Sequence, residues 1–256
     1  MNDFATSTGH WYKLDGTPAY TVIGRNGKER NATLADARKL GLVPSVTTVM
    51  RCADRPALNR WMAEQLLMAG LTLPRIIGET EDAWLARVRL DAQEQARKAR
   101  ERGESIHGAL ERHYRGEMPD PDLFAHVKGA RQEITDWCGE QQWLPERSFA
   151  HPAGYGGKCD LHSDAWVIDY KSKEFTAATL PKLWDEHPMQ LAAYRRGLRV
   201  PAARCAIVFV STTVPGLSVL LEVPEVDLTR GLAMFDALLC FWQCQTGHRP
   251  MMREAA

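Results

Sequence analysis

Two short apolar runs in the middle of the chain end in charged residues whose types and spacing could do chemistry. Gly156-Gly157-Lys158-Cys159-Asp160 closes on an aspartate, and Val167-Ile168-Asp169-Tyr170-Lys171 closes on an aspartate and a lysine two positions apart. Paired as strands, the runs bring two carboxylates and one ammonium to one end of a sheet. Residues i and i+2 of a strand share a face, so Asp169 and Lys171 project together while Tyr170 points into the opposite layer. Two carboxylates suit a hard divalent cation such as Mg²⁺, and a lysine beside them can handle a proton or a phosphate oxygen. The combination predicts metal-dependent hydrolysis of a phosphodiester.

Other elements must hold those runs in place. Glu146 to His151, Gly156 to Leu161 and Ala165 to Tyr170 read as short strands separated by turn residues such as His162-Ser163-Asp164. A helix over 187–198, strands over 206–211 and 218–223, and an amphipathic helix over 227–246 follow. Upstream, Trp11 to Leu14 and Ala19 to Val22 read as a β-hairpin around Asp15-Gly16. Thr33 reads as the N-cap of a helix from Leu34 to Leu40 stopped by Gly41, and Ser45 as the cap of another short helix. Pro56 suits the first turn of a helix carrying Trp61, Met62, Leu66 and Leu67. A charge-rich helix is expected from Glu81 to Tyr114, interrupted at Gly103 with a bend there, and another from Pro121 to Gln142. Helices first, then β-β-β-α-β-β-α, predict an α/β (α+β) fold with a central sheet sandwiched by helices. Residues 1–80 are expected to pack as an N-terminal hairpin and helical region on a core formed by 81–256.

The chain has 256 residues, enough to bury a substantial core, and balances 32 basic against 32 acidic side chains. That balance excludes a global attraction to nucleic acid but not a local basic surface, since an acidic metal site cancels basic residues in the sum. No apolar run approaches the length of a membrane span, and the N-terminus lacks the basic start and apolar stretch of a signal peptide. A cytoplasmic location without membrane contact is therefore expected. The six cysteines, Cys52, Cys138, Cys159, Cys205, Cys240 and Cys244, contain no C-x2-C pair and read as reduced, partly buried side chains.

Four separated segments together resemble the PD-(D/E)xK nuclease superfamily, and within it the RecB-like exonuclease branch. Gly103 to Glu111 follows that branch's G-x-x-x-H-x-x-L-E helix motif, with His107 as its histidine. Gly157-Lys158-Cys159-Asp160 follows its G-x-x-D strand, Asp169-Tyr170-Lys171 its D-Y-K strand, and Gln190 to Tyr194 its Q-x-x-x-Y helix. They cover roughly residues 100–200, in the expected order, and four in register are far more specific than any one alone. The stretch Pro44-Ser45-Val46-Thr47-Thr48 is also similar to a segment of mitochondrial genome maintenance exonuclease and related phage enzymes.

The resemblance implies a restriction-endonuclease-like mixed sheet and a Mg²⁺-dependent DNA exonuclease, with Mn²⁺ as a substitute ion. It implies that His107, Asp160, Asp169 and the Tyr170 carbonyl bind the metal, with Glu146 assisting a second ion in some relatives. Lys171 would orient the attacking water or stabilise the pentacovalent transition state, and Gln190 and Tyr194 would hold the lysine or the DNA backbone. Spacing agrees on one point: Gln190 and Tyr194 are four apart and share a helix face. The same resemblance carries two alternatives, a structure-specific endonuclease and a DNA-binding recombination subunit that no longer cleaves. Partners implied are single- or double-stranded DNA ends and a recombination or single-strand-binding protein. Some relatives hold an iron–sulfur cluster; the spacing of Cys240 and Cys244 argues against one here.

For DNA contact, basic residues gather before His107, Arg102 among them, and again at Arg195, Arg196, Arg199 and Arg204. Such groups position phosphates without reading sequence. The Ser45, Thr47 and Thr48 hydroxyls at a helix start are candidates for a terminal phosphate. Trp11, Tyr12, Trp61 and Trp143, where exposed, are candidates for stacking on unpaired bases, although tryptophan more often belongs to the core.

Overall fold

The computed structural model describes residues 9–54 and 56–250. Its centre is a five-stranded mixed sheet in the order β5 (Leu144–His151), β6 (Tyr155–His162), β7 (Trp166–Lys173), β8 (Arg204–Ser211), β9 (Ser218–Val223). Only β7 and β8 are parallel; the other neighbours are antiparallel. The parallel pair needs a crossover, and α6 (Glu186–Gly197) supplies it. Strand β8 is buried from Cys205 to Ser211, which is why it reads as a continuous apolar run rather than an alternating one.

Helices cover both faces. On one side Val167, Ile207 and Phe209 pack with Leu191 and Ala192 of α6 and with Phe235 of α7 (Glu225–Thr246). On the other, Ile168, Tyr170, Ala206 and Val208 meet Ile106 and Leu110 of α4 (Glu81–Tyr114), and Val127 and Ile134 of α5 (Phe124–Cys138). Full burial of each valine, leucine, isoleucine or phenylalanine among them contributes roughly 1.5–3 kcal/mol. The first cluster also takes in Trp11, Leu34, Val46 and Val49, so the N-terminal segments share their core with the sheet.

Most elements lie where the sequence predicts them. Thr33 caps α1 (Leu34–Leu40) in a reciprocal capping box with Asp36, and Gly41 ends it with φ 67°. Ser45 caps α2 (Val46–Met50). Two expectations need correction. The N-terminal hairpin turns at Asp15-Gly16 as expected but is short: β1 (Trp11–Tyr12) takes its ladder partner from β4 (Val43–Pro44), and a second antiparallel pair joins β2 (Thr21–Ile23) to β3 (Glu29–Asn31). Contact with the first strand is one bridge, Tyr12 to Pro18, made by the Lys13 N–H to the Thr17 carbonyl and the Ala19 N–H to the Trp11 carbonyl; Pro18 takes the position between these bonds, where no N–H is needed. Nor does Gly103 interrupt α4, which runs unbroken from Glu81 to Tyr114. A Cβ on Gly103 would stand 3.6 Å from that of Ser172, an ordinary contact, so this glycine is a helix position and not a break.

Helix α3 (Pro56–Thr72) packs on α4 through a small cluster of Ala69, Val88 and Ala92. Its larger apolar residues, Met62, Leu66, Leu67 and Leu71, stay exposed.

Candidate active site

The site begins where β6 and β7 part. They pair at Leu161 with Ile168 and at His162 with Val167, then diverge. Past that point side chains replace the ladder. The Tyr170 N–H donates to Asp160 Oδ2 at 2.7 Å, and the Cys159 thiol reaches the Ile168 carbonyl at 3.6 Å. The fork thus opens beside the residues that the two apolar runs deliver.

Strand alternation sends Asp169 and Lys171 to the α6 side and Tyr170 into the α4 side. The Lys171 ammonium lies 2.5 Å from Asp169 Oδ2 and donates to Gln190 Oε1 at 3.2 Å. Gln190 Nε2 donates to Asp169 Oδ1 at 2.7 Å and to the Tyr194 hydroxyl at 3.0 Å. Asp169, Gln190 and Tyr194 are all buried. One turn of α6 therefore fixes both the carboxylate and the lysine. Gly157 makes room for this: a Cβ there would come within 2.8 Å of Phe149 Cζ and 2.9 Å of Tyr194 Cε1.

Asp160 and His107 occupy the other side. His107 Nδ1 is 3.7 Å from Asp160 Oδ2, beyond hydrogen-bonding distance, and its ring meets that of Tyr170 edge-on at 5.8 Å. Burial, with Asp169 opposing and Lys171 adding to it, pushes the His107 pKa down to about 4. The imidazole is then neutral at neutral pH, the form that binds a metal. Burial and then the negative charge of Asp169 push the Asp160 carboxyl well above its ordinary range. Burial alone would lower the Lys171 pKa, but Asp169 and Asp160 together hold it above its ordinary value. Lys171 is consequently an ammonium at neutral pH.

The donor set fits a hard dication. The charge of Asp169 adds to the cost of ionising Asp160, and a cation between the two carboxylates relieves it, while the Lys171 ammonium already faces Asp169 Oδ2. Among the described residues no three His, Cys, Asp or Glu side chains converge closely enough to enclose an ion. Mg²⁺ needs no such cage, since it takes one or two carboxylates and completes its shell with water and phosphate oxygens.

The remaining candidates fall in varied places. Glu146 sits between the paired positions Pro145 and Arg147 with a left-handed backbone, φ 54°, and its carboxylate is ion-paired to Lys158. Ser45 is buried; its hydroxyl accepts from the Thr48 N–H and contacts the Thr47 and Thr48 hydroxyls. These three oxygens serve a helix cap and one another. Arg102 is exposed on α4. Arg195 is held in a two-pronged pair with Glu225 of α7, Arg196 with Asp236 and Arg204 with Glu222, so these three in the downstream basic cluster tie elements together. Trp11 and Tyr12 are buried in the core and Trp143 packs on Tyr114. Cys205 is buried in β8, whereas Cys240 and Cys244 are exposed on α7.

Sequence reasoning passed over two residues, Trp184 and His187. His187 is buried one turn before Gln190, and its Nδ1 accepts from the Trp184 N–H at 3.0 Å. Its i, i+3 relation to Gln190 was the available signal.

No family model matches the chain, and no curated protein matches it. Among solved structures it is similar to a candidate exonuclease from Eubacterium rectale, at 14% identity over 60% of this chain and 72% of that one, with a TM-score of 0.39. It is also similar to an alkaline exonuclease from Laribacter hongkongensis, at 17% identity over 84% of this chain and 97% of that one, with a TM-score of 0.34. Likenesses this distant carry no argument, so the functional reading rests on the side chains themselves.

Proposed function

We propose that this chain is a metal-dependent deoxyribonuclease that hydrolyses phosphodiester bonds at DNA ends. The observation that carries the reading is the fork itself, where Lys171 is locked by Asp169 and Gln190 while Asp160 faces His107 with hydrogen-bonding capacity to spare. Asp160, Asp169 and His107, with the Tyr170 carbonyl, would hold Mg²⁺ or Mn²⁺. Such an ion supplies Lewis acidity toward a phosphate oxygen and makes a bound water nucleophilic at neutral pH.

The chain's own residues do the rest. Because Lys171 is charged, it cannot begin as a general base; it donates hydrogen bonds to the water or to the phosphoryl oxygens as negative charge develops. Gln190 keeps that ammonium aimed, since one amide bonds both Lys171 and Asp169. Tyr194 anchors the amide in turn, and burial holds its hydroxyl protonated, far above the ordinary phenol pKa.

The test is incubation with end-labelled linear DNA and covalently closed circular DNA in Mg²⁺, Mn²⁺ or EDTA. Shortening of the linear strand alone, abolished by EDTA, is expected. Cutting of the closed circle would replace the exonuclease reading with the endonuclease one. Activity that survives EDTA would overturn metal dependence.

A further inference from the structure

Next to Lys171 lies a cleft that the hydrolytic residues leave unused. Its volume is about 780 Å³, within the range of pockets that take small ligands, and it opens between the end of α2, α3, the tip of β7 and the start of α6. Apolar surface comes from Met189, Phe209 and two tryptophans, Trp61 and Trp184, which are 36% and 52% exposed. Trp11, Trp166 and Trp242 are buried, so the two in the cleft stand apart from the tryptophans that build the core. Lys171 and Lys173 line one side.

Charge decides what such a cleft can hold. Asp54, Asp185 and Glu186 also line it, and although Asp185 is paired with Arg230 and Asp54 accepts from the Asn59 amide, the carboxylates oppose a phosphate inside. A phosphate belongs at the lysine side, continuous with the fork. What suits the interior is uncharged, flat and aromatic. A nucleobase meets that description: it stacks on indole whatever its identity, and its exocyclic amino groups can donate to carboxylates.

We propose that the cleft receives an unpaired base adjoining the phosphate at Lys171, with Trp61 and Trp184 as stacking surfaces, so that the chain acts on single-stranded or frayed ends rather than on intact duplex. The proposal rests on the nuclease reading for the position of the phosphate, and it names that enzyme's substrate class. A base must leave its helix to reach the cleft, which costs least where no partner strand exists.

The experiment measures binding without turnover, in EDTA and again in Ca²⁺, by tryptophan fluorescence and by anisotropy of end-labelled probes. The probes are a short oligo-dT, the same sugar–phosphate chain without bases, and a blunt hairpin duplex. Oligo-dT is expected to quench tryptophan emission and to bind at least about tenfold more tightly than the baseless chain. The W61A/W184A double variant should lose about tenfold or more for oligo-dT and nothing for the baseless chain, while W61F/W184F retains most of the affinity. Equal binding of the two single strands, no loss in the double variant, preference for the blunt duplex, or no binding at all would each overturn the proposal. Cleavage of the same strands in Mg²⁺ separates the two readings. Base-dependent binding without cutting leaves the cleft and removes the nuclease; cutting with base-independent binding does the reverse.

Discussion

The two sides of the β6–β7 fork treat their carboxylates in opposite ways. Toward α6, Asp169 is closed into a network in which Gln190 bonds its Oδ1, Lys171 faces its Oδ2, and Tyr194 steadies the amide. Toward α4, Asp160 accepts one backbone N–H and faces a histidine too distant to bond. The first side resembles a protein interior, where buried polar groups satisfy one another. The second resembles a binding site, where capacity is left over for something that arrives. Positioning and reception are thus divided between two strands that separate at a single point.

Removing the closed side should have the largest effect. Lys171→Ala is expected to lower single-turnover cleavage of end-labelled DNA by at least about 10²–10³-fold, the cost of losing one donor to developing charge. A variant retaining near wild-type turnover would dissolve the division. Asp160→Asn should also abolish metal-dependent cleavage, yet with unchanged or increased resistance to urea in EDTA, because burial disfavours the charged form that asparagine removes. Loss of stability in that variant would mean the open side is structural after all.

Gln190→Leu sharpens the contrast through stability. It strands Asp169 Oδ1 and the Tyr194 hydroxyl, which should cost about 1–3 kcal/mol in chemical denaturation. His107→Ala, which breaks no hydrogen bond among those described, should cost under about 1 kcal/mol, mainly its edge contact with Tyr170.

The smallest effect is in pH dependence without metal. His107 titrates near 4 when folded and near 6.5 when unfolded, so the unfolded chain binds more protons between these values and stability rises with pH there. Asp160 is raised on folding, so the folded chain binds more protons above the ordinary carboxylate pKa and stability falls as pH rises. Urea midpoints between pH 4 and 6.5 should accordingly rise more steeply with pH in Asp160→Asn and less steeply, or fall, in His107→Ala. Identical slopes would show that neither group is perturbed as the geometry requires.

Much of this is legible in the sequence. The i, i+2 spacing of Asp169 and Lys171 settles that they share a face, and the i, i+4 spacing of Gln190 and Tyr194 settles that one helix side offers both. Thr33, Gly41 and Ser45 mark their helix ends because capping is local chemistry, carried by the residues on either side of the cap. Other readings depended on distant chain. Arg195 looked available for phosphate until Glu225, thirty positions on, closed on it at 2.6 Å. Trp11 and Tyr12 looked available for stacking until β1 was paired with β4 and buried in the core. In each case a local pattern describes a side chain's chemistry but not who meets it.

By itself, then, the sequence determined which groups share a strand face or a helix turn, because backbone periodicity is fixed within a few residues. Only the tertiary structure decided that β6 and β7 part after Leu161 and Ile168, that Asp160 faces α4 while Asp169 faces α6, and that Trp61 and Trp184 front one cleft. Those are relations between segments far apart in the chain, set by the packing of helices on a sheet, and no spacing rule reaches across them.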